Sequence, residues 1–376
     1  MNKSILCRIF VVSIIFLVSL SALAVHNVKA QTENTWTTLA PMQEKRWSLG
    51  VVEENGKIYA MGGYDGLSRP YLDINEEYDP SSDTWTIKAS MPEPMSDFGI
   101  TVYHGKIYCF NGETGSTYVY TPLYDTWEKK APLPNPREGI TANTLNDKIY
   151  IIGGNIPIMN VYNPSNDSWN AKTSLIASFS SYSEACSSVV FEGKIHAFGA
   201  VPLEYSHQIY DPITDSWNLG EPLIDGYYFS VACVTTGKNA PKQIYVFSAD
   251  RSLWSIDSPK LSSQGYDPNT GNWSLVSEIP SGHLIGGATV LDDKVYVVGG
   301  AGAGYGSIHA NILSRSYTPI GYGSPDPSYT LPPPTPTPTA PPELFPTILV
   351  IASVAVIAIV GLGIFATLVK RRSKPK

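Results

Sequence analysis

The apolar and polar positions of this chain repeat six times across its middle. Each copy places a Lys beside a short apolar run that ends in small residues, as in the segment GKIYAMGG. Such runs between turn residues predict short strands, and a period in the forties predicts a repeat architecture. The copies occupy residues 56–63, 105–112, 147–154, 193–200, 242–249 and 293–300.

A second pattern follows each copy: Tyr-x-Pro, and then a Trp seven residues after the Tyr. The five complete pairs are Tyr78 and Trp85, Tyr120 and Trp127, Tyr162 and Trp169, Tyr210 and Trp217, and Tyr266 and Trp273. The sixth Tyr-x-Pro, at Tyr317, lacks its Trp, whereas Trp36 lacks its Tyr. Five full units with a half-unit at each end predict a closed ring, in which a strand near 35–39 completes the last sheet. Ring closure removes the free sheet edges that promote aggregation.

These residues resemble the kelch family, in which an apolar run leads to a Gly-Gly doublet and then to spaced Tyr and Trp residues. The resemblance covers about residues 34–320 and implies an all-β, six-bladed kelch-type β-propeller, which we place at residues 31–320. The expected structural residues are Trp36, Trp85, Trp127, Trp169, Trp217, Trp273, Gly62, Gly63, Gly153, Gly154, Gly299 and Gly300. The doublet is altered at Asn111-Gly112, Gly199-Ala200 and Ser248-Ala249, which predicts different turns there.

The two ends of the 376-residue chain predict export and anchoring. Residues 1–30 combine an early charge, an apolar core and small residues, as in a secretory signal peptide; an uncleaved N-terminal anchor is the alternative. Residues 321–346 form a Pro/Thr-rich stalk. Residues 347–369 carry no charge over a length that spans a bilayer, and the basic tail 370–376 predicts a cytoplasmic end. We therefore expect a single-pass cell-membrane protein with an extracellular propeller.

The C-terminal end has a second interpretation. Its Pro-rich segment, apolar span and basic residues resemble the three-part sorting tails of archaeal or prokaryotic surface proteins, which are removed and replaced by another anchor. Composition excludes one class of partner more clearly. The net charge is −7, and no basic stripe lies outside the tail, so nucleic-acid binding is not expected. After removal of the leader, Cys109, Cys186 and Cys233 remain, too few for a disulfide framework.

Alternate loops of antiparallel sheets reach opposite faces, and the longer second-to-third loops and blade connections share one of them. We expect the ligand on this loop face, because variable loops on a rigid scaffold carry function. Counting eleven residues back from each repeated Lys or its counterpart gives Arg46, Met95, Arg137, Ser183 and His283, with Tyr228 assigned in the fifth blade, where the register is uncertain. Further candidates in the loops are Arg69, Tyr205, His207, Trp254, Tyr305 and His309.

Two arginines and a histidine at the channel mouth suit a carboxylate or another polar ligand. The alternative role for these arginines is to tie the blade connections together through carbonyl contacts. No phosphate-binding loop, zinc-protease motif or paired-Cys spacing occurs, so no cofactor or metal is expected.

The residues therefore favour a cell-surface recognition module for an extracellular protein or glycan. The kelch resemblance leaves a second class open, a secreted carbohydrate-active or oxidative enzyme. Some kelch propellers are copper-radical oxidases and others are sialic-acid epimerases. The three cysteines fall in predicted strands, which argues against the Tyr–Cys cross-link of the oxidases.

Overall fold

A computed structural model describes residues 32–66, 71–178, 186–199, 207–225, 228–249, 261–280, 286–304, 307–310, 312–327 and 329–330. The chain divides into two compact units after Tyr329, and the described residues belong almost entirely to the first. The predicted leader, transmembrane segment and basic tail lie outside the described residues. Within the described part, no helix has the length and apolarity needed to cross a bilayer.

The described residues form six four-stranded antiparallel sheets, each made from short strands that end at Gly, Asp, Asn or Pro turns. Blade 1 contains β2 (Gly50–Glu54), β3 (Lys57–Met61), β4 (Asn75–Asp79) and β5 (Thr84–Ile87); blade 2 contains β6 (Gly99–Tyr103), β7 (Lys106–Phe110), β8 (Thr117–Thr121) and β9 (Thr126–Lys130); blade 3 contains β10 (Ile140–Leu145), β11 (Lys148–Gly153), β12 (Met159–Asn163) and β13 (Ser168–Lys172).

The second half of the ring repeats this order. Blade 4 contains β14 (Ser187–Phe191), β15 (Lys194–Phe198), β16 (His207–Asp211) and β17 (Ser216–Leu219); blade 5 contains β18 (Tyr228–Val234), β19 (Ile244–Ala249), β20 (Leu261–Asp267) and β21 (Asn272–Leu275); blade 6 contains β22 (Gly287–Leu291), β23 (Lys294–Val298), β26 (Ser314–Thr318) and β1 (Thr35–Thr38). A two-stranded hairpin, β24 (Ala301–Gly304) and β25 (Ser307–Ala310), connects β23 to β26.

The predicted ring closure is confirmed. Strand β1 is antiparallel to β26, and Trp36 lies opposite Tyr317. Tyr78 and Trp85 occupy the same register in blade 1, so the shared blade reproduces the sheet made by one continuous segment. The two ends of the repeat region therefore depend on each other for stability.

A hydrogen-bond network links each outer strand to the preceding blade. In blade 1 the Tyr78 hydroxyl donates to Asp83 Oδ1 (2.7 Å), and this carboxylate also accepts from the Ala40 backbone N–H (2.8 Å). The Trp85 indole donates to the Ala40 carbonyl (2.9 Å). Where the ring closes in blade 6, Asn34 takes the place that Asp83 has in blade 1. Its Oδ1 accepts a hydrogen bond from the Tyr317 hydroxyl (2.9 Å).

The other repeated tryptophans make the same contact. The indole groups of Trp127, Trp169, Trp217, Trp273 and Trp36 donate to the carbonyls of Ala89, Ala131, Thr173, Glu221 and Ser277, respectively. Each Trp thus satisfies its buried N–H while its ring, which can cover about 150–250 Å², packs near a blade boundary. The apolar core accordingly consists of clusters that each combine neighbouring blades.

Close contacts with backbone carbonyls explain the Gly-Gly doublets. A Cβ on Gly62 would lie 2.5 Å from the Met95 carbonyl oxygen, and one on Gly153 would lie 2.4 Å from the Gly139 carbonyl oxygen. Both glycines also have positive φ, of 61° and 104°. Only a residue without a side chain lets a connection between blades approach so closely. Gly63, Gly154, Gly299 and Gly300 lie at matching positions of their blades, also with positive φ.

We call the two sides of the ring the turn face and the mouth face. The turn face carries the β-turns between the first and second strands, whose central residues have positive φ, as in two-residue hairpins of the I′ type. These pairs are Asn55-Gly56, His104-Gly105, Asn146-Asp147, Glu192-Gly193 and Asp292-Asp293. The mouth face is the opposite side, where the innermost strands β2, β6, β10, β14, β18 and β22 begin.

Blade 5 replaces the two-residue turn with the insertion 235–243. Buried Asp293 of blade 6 holds it: the carboxylate accepts from Thr236 N–H (2.5 Å), Thr236 Oγ1 (2.8 Å), Asn239 N–H (2.5 Å) and Ala240 N–H (3.1 Å). A carboxylate with four donors needs no further partner. The insertion is therefore a fixed part of the turn face.

The chain that follows β26 lies along this insertion. Gly323 N–H donates to the Asn239 carbonyl (2.6 Å), and Asp326 N–H donates to the Gly237 carbonyl (2.8 Å). The ammonium of Lys294 lies 5.3 Å from the centre of the Tyr322 ring. We call residues 319–329 the strap. Its contacts place the exit of the chain on the turn face.

Candidate functional site

The innermost strands of the six blades surround a channel along the ring axis. At the mouth face the channel contains a cavity of about 190 Å³. Residues from all six blades line it, among them Ser48, Asp97, Gly139, Cys186, Ser230 and Gly286. Asp97 is the charged residue of this lining. We call this cavity the mouth.

Asp97 sits in the connection between β5 and β6 with a left-handed backbone (φ 49°), a conformation that Asp tolerates better than most residues. Its N–H donates to the Ser48 carbonyl (3.1 Å), which ties blade 2 to blade 1. Its carboxylate accepts a 3.3 Å hydrogen bond from Ser96 Oγ. The side chain is half-buried and lines the mouth.

Burial raises the pKa of Asp97 to about 6. The hydroxyls of Ser48 and Ser96 favour the charged form and oppose this shift, whereas the negative charge of Glu138 adds to it. Near neutral pH the carboxylate is therefore ionised but incompletely compensated. Groups of this kind concentrate at functional sites, although structural ion pairs also produce them.

Two hydroxyls of the mouth lack partners among the described residues. Ser230 is 3% exposed, and its Oγ makes no hydrogen bond to any described residue. Ser48 is 7% exposed; its hydroxyl lies near enough to affect Asp97 but makes no hydrogen bond of normal geometry. An unpartnered buried polar group costs about 1–3 kcal/mol. A ligand in the mouth would offer a partner for both hydroxyls.

The structure corrects the predicted role of Arg46. Its side chain is fully buried rather than open to the mouth. The guanidinium donates to the Ala60 carbonyl (3.0 Å) and the Ile74 carbonyl (3.1 Å), and pairs with Glu76 Oε1 (3.0 Å). Burial lowers its pKa to about 10, so it stays charged at neutral pH. This geometry corresponds to the alternative role, in which the arginine ties backbone segments together.

Arg137 occupies the equivalent position in blade 3 and is corrected in the same way. Its Nε donates to the Gly153 carbonyl (2.8 Å), one terminal nitrogen donates to Asn160 Oδ1 (2.9 Å), and the other donates to the Ile158 carbonyl (2.9 Å). Burial lowers its pKa to about 10. Neither arginine, therefore, presents positive charge to the mouth.

His207 also differs from the prediction, since it is 1% exposed and lies inside blade 4. Its Nδ1 lies 3.0 Å from the Glu221 carbonyl, which can only accept, so Nδ1 carries the hydrogen. Its Nε2 then accepts from His196 Nδ1 at 2.8 Å. Burial lowers the pKa of His207 to about 4 and that of His196 to about 3, so this pair is neutral at physiological pH.

The remaining predicted site residues are not brought together by the described part of the chain. Arg69, Tyr205, Trp254, His283 and Tyr305 lie outside the described residues. For Tyr228, at the start of β18, and His309, in β25, the structure describes the backbone only. Their role in ligand binding stays a prediction.

Asp97 and Ser48 are the mouth residues that the sequence interpretation missed. They lie two positions after Met95 and Arg46, the residues counted from the repeated Lys. Of the counted positions, Arg46 and Arg137 point into their blades and anchor the backbone, and the described channel lining of blades 1, 2 and 3 begins two residues after the counted position. The sequence signal that could have identified this lining is Asp97, an acidic residue two positions after the counted Met95.

The described residues contain no group of three or more His, Cys, Asp or Glu side chains placed to hold a metal ion. Cys109, Cys186 and Cys233 are buried and form no disulfide bond within the described residues. Burial raises the pKa of each thiol. Cys186 lines the mouth, but its raised pKa keeps it protonated and weakly nucleophilic.

Comparison with known proteins connects this architecture to one repeat type. Residues 49–92 match the Kelch motif. The chain is 46% identical to human Kelch-like protein 23 over 48 residues, which are 13% of this chain and 9% of that protein. It is 32% identical to Kelch-like protein 25 of Xenopus tropicalis over 135 residues, which are 34% of this chain and 21% of that protein. The chain thus matches only a minor part of these relatives.

A solved structure entitled "Structure of YjhT" has a similar fold. It aligns with a TM-score of 0.56 and 15% sequence identity, covering 73% of this chain and 96% of that one. At this identity the likeness concerns the fold alone.

Proposed function

We propose that this chain, a six-bladed kelch-repeat β-propeller, is a cell-surface recognition module that binds an extracellular protein at its mouth face. The observation that carries the proposal is the placement of two features on opposite faces. The mouth, with its unpaired polar groups, opens on one face, and the strap leaves the ring on the other. A tethered receptor needs this arrangement, because its binding surface must point away from its anchor.

The chain ends support the membrane part of the proposal. Residues 1–30 have the features of a signal peptide, and residues 347–369 are an uncharged apolar span followed by a basic tail. Between the strap and this span lies Pro/Thr-rich sequence, a composition typical of stiff, extended spacers. We therefore place the propeller outside the cell at the end of a spacer.

The closed ring supports recognition of a macromolecule. Six rigid blades hold connections of different length around one axis, and such loops on a fixed scaffold suit binding. The Kelch-like relatives share the repeat but only part of their length with this chain, so their partners are no guide to its own. A protein is the partner we favour, and a glycan on a surface protein is the other member of the class.

The proposal is tested with photo-cross-linking amino acids in the full-length chain on intact cells. Glu138, exposed near the mouth, is the test position, and Asp292, exposed in a turn of the opposite face, is its control. We expect cross-linked protein from position 138 and little from position 292. An epitope placed before the apolar span should be accessible without lysis.

Two results contradict the proposal in different ways. Equal cross-linking from both positions removes the assignment of the binding face. An epitope that becomes accessible only after lysis removes the surface location, whichever position cross-links.

One observation favours the alternative class, an enzyme acting on carbohydrates. A carboxylate with a pKa of about 6 is suited to general acid–base catalysis near neutral pH. The full-length protein should then convert a sialylated or neutral oligosaccharide, and Asp97→Asn should abolish the conversion. Lack of any turnover across such a panel leaves binding as the function.

A further inference from the structure

The described part of the mouth is acidic where the sequence predicted a basic mouth. Asp97 lines it, and Glu138 lies close enough to raise the Asp97 pKa through its own charge. Neither carboxylate forms an ion pair with a residue in the described part of the chain. Arg46 and Arg137, the nearest predicted cations, are committed to internal carbonyl and side-chain acceptors. Negative charge therefore remains at the mouth without a partner.

The buried hydroxyl of Ser230 is an independent sign that a polar group belongs there. It comes from blade 5, lines the same cavity and has no hydrogen-bond partner in the part of the chain that the structure describes. A hydroxyl oxygen accepts hydrogen bonds, as a carboxylate does. A ligand that carries several N–H donors would satisfy both Ser230 and Asp97.

The apolar part of the mouth lining narrows the choice of ligand chemistry. Leu49, Phe98 and Ile140 share the cavity with the polar groups. Lysine and arginine side chains place an aliphatic stem against apolar surface and keep a charged head among polar groups. A carboxylate ligand, in contrast, would be repelled by Asp97 and Glu138.

We propose that the mouth binds a positively charged side chain, a lysine ammonium or an arginine guanidinium, presented by the partner protein. This inference rests on the proposed function and specifies the chemistry of its partner. The head group donates to the Asp97 carboxylate and the Ser230 hydroxyl, while its stem packs against the apolar part of the lining.

Binding of a cation requires the ionised form of Asp97. The groups that face it are the hydroxyls of Ser48 and Ser96 and the carboxylate of Glu138. With a pKa of about 6, the ionised fraction falls about tenfold between pH 7.5 and pH 5. The affinity for a cationic ligand should fall by a similar factor over this range.

Saturation-transfer NMR on the detergent-solubilised full-length chain tests the inference, with N-acetyl-lysine N-methylamide as the probe. The norleucine and glutamate amides serve as uncharged and anionic comparisons. We expect saturable binding of the lysine compound, at least tenfold weaker binding of the other two, and competition by the arginine compound. Asp97→Asn should weaken lysine binding at least tenfold and remove its pH dependence.

Asp292→Asn is the matched control, since it makes the same change at an exposed position of the opposite face. Both variants should stay folded and unfold cooperatively, because Asn also tolerates a left-handed backbone. Absence of saturable lysine binding by the wild-type protein overturns the inference, and so does equal binding of the lysine and norleucine compounds.

The outcome separates this inference from the proposed function. If position 138 still cross-links a partner but Asp97→Asn leaves lysine binding unchanged, the mouth face binds by another chemistry. If lysine binds at the mouth but no partner cross-links there, the charge assignment stands and the surface function does not.

Discussion

Two aspartates, one on each face of the ring, show how the same side chain takes opposite roles. Asp97 at the mouth and Asp293 on the turn face both have left-handed backbones, with φ of 49° and 59°. Asp293 is fully buried and accepts from four donors within 3.1 Å. Asp97 is half-buried and accepts one long hydrogen bond from Ser96.

The difference lies in the surrounding donors rather than in the residue type. A carboxylate surrounded by backbone N–H groups stabilises the loop that supplies them, so Asp293 fixes the insertion on which the strap lies. A carboxylate beside an open cavity and few donors keeps its capacity for a ligand. The contrast predicts that changes beneath the mouth face and on the turn face alter stability, whereas changes at the mouth itself alter binding.

The largest expected effect is on the ion pair beneath the mouth face. Arg46→Met leaves Glu76 charged and buried without its partner, which should reduce the free energy of unfolding by about 3–5 kcal/mol. Denaturant unfolding measures the loss. The double variant Arg46→Met with Glu76→Gln should recover part of it. A loss below about 1 kcal/mol would show that water or another group replaces the arginine.

The next effect compares the two aspartates directly. Asp293→Asn keeps one acceptor oxygen and replaces the other by an NH₂ group, so either the Thr236 N–H or the N–H groups of Asn239 and Ala240 lose their acceptor. This loss should cost about 2–3 kcal/mol. Asp97→Asn should be neutral or stabilise the protein by up to about 1 kcal/mol above pH 6, since it removes a carboxylate whose charged form is disfavoured by burial. Thermal unfolding at pH 7 measures both. Equal destabilisation by the two variants would contradict the contrast.

The smallest expected effect concerns the histidine pair in blade 4. Burial lowers the pKa of His207 to about 4, below the value near 6.5 of an unfolded chain. The unfolded state therefore binds protons first, so this contribution is complete above pH 6.5 and is lost as the pH falls toward 4. The loss at pH 5 is about 2 kcal/mol for His207 alone.

His196→Tyr tests this dependence, because the other five blades carry Tyr at the position of His196. The variant should unfold with a weaker dependence on pH between 6.5 and 4 than the wild type. His104→Gln, a change in an exposed turn, should keep the wild-type profile. Asp97, whose pKa is raised by burial, changes the stability with pH in the opposite direction to His207. Because all three proteins contain Asp97, its contribution cancels when their pH profiles are compared. An unchanged profile in His196→Tyr would mean that His207 finds another proton donor.

Much of the fold followed from local patterns. The pairing of Trp36 with Tyr317 was predictable, because each had lost the partner that five other repeats retain. The tight turns were predictable from their Asn, Asp and Gly residues. The insertion in blade 5 was visible as a break in the repeat, but its attachment to Asp293 joins residues more than fifty positions apart.

The site was predicted less well, for a reason of geometry. Counting from the repeated Lys located connections that line the mouth but chose residues two positions before Ser48, Asp97 and Gly139, which line it. Arg46 and Arg137 were therefore predicted to bind the ligand, although their guanidinium groups donate hydrogen bonds to backbone carbonyls inside the blades. The pairing of His196 with His207 was also missed, since the two lie eleven residues apart on neighbouring strands.

The sequence by itself determined the number of blades, the strand pattern and the closure of the ring, because each follows from a repeat whose spacing is set by backbone geometry. Only the tertiary structure decided which charges face the mouth. Whether a polar side chain turns inward or outward depends on the donors and acceptors that other blades bring to it. In this ring Arg46 pairs with Glu76 inside its blade and Arg137 donates to neutral acceptors inside its own, so the charged residue that lines the described part of the mouth is Asp97.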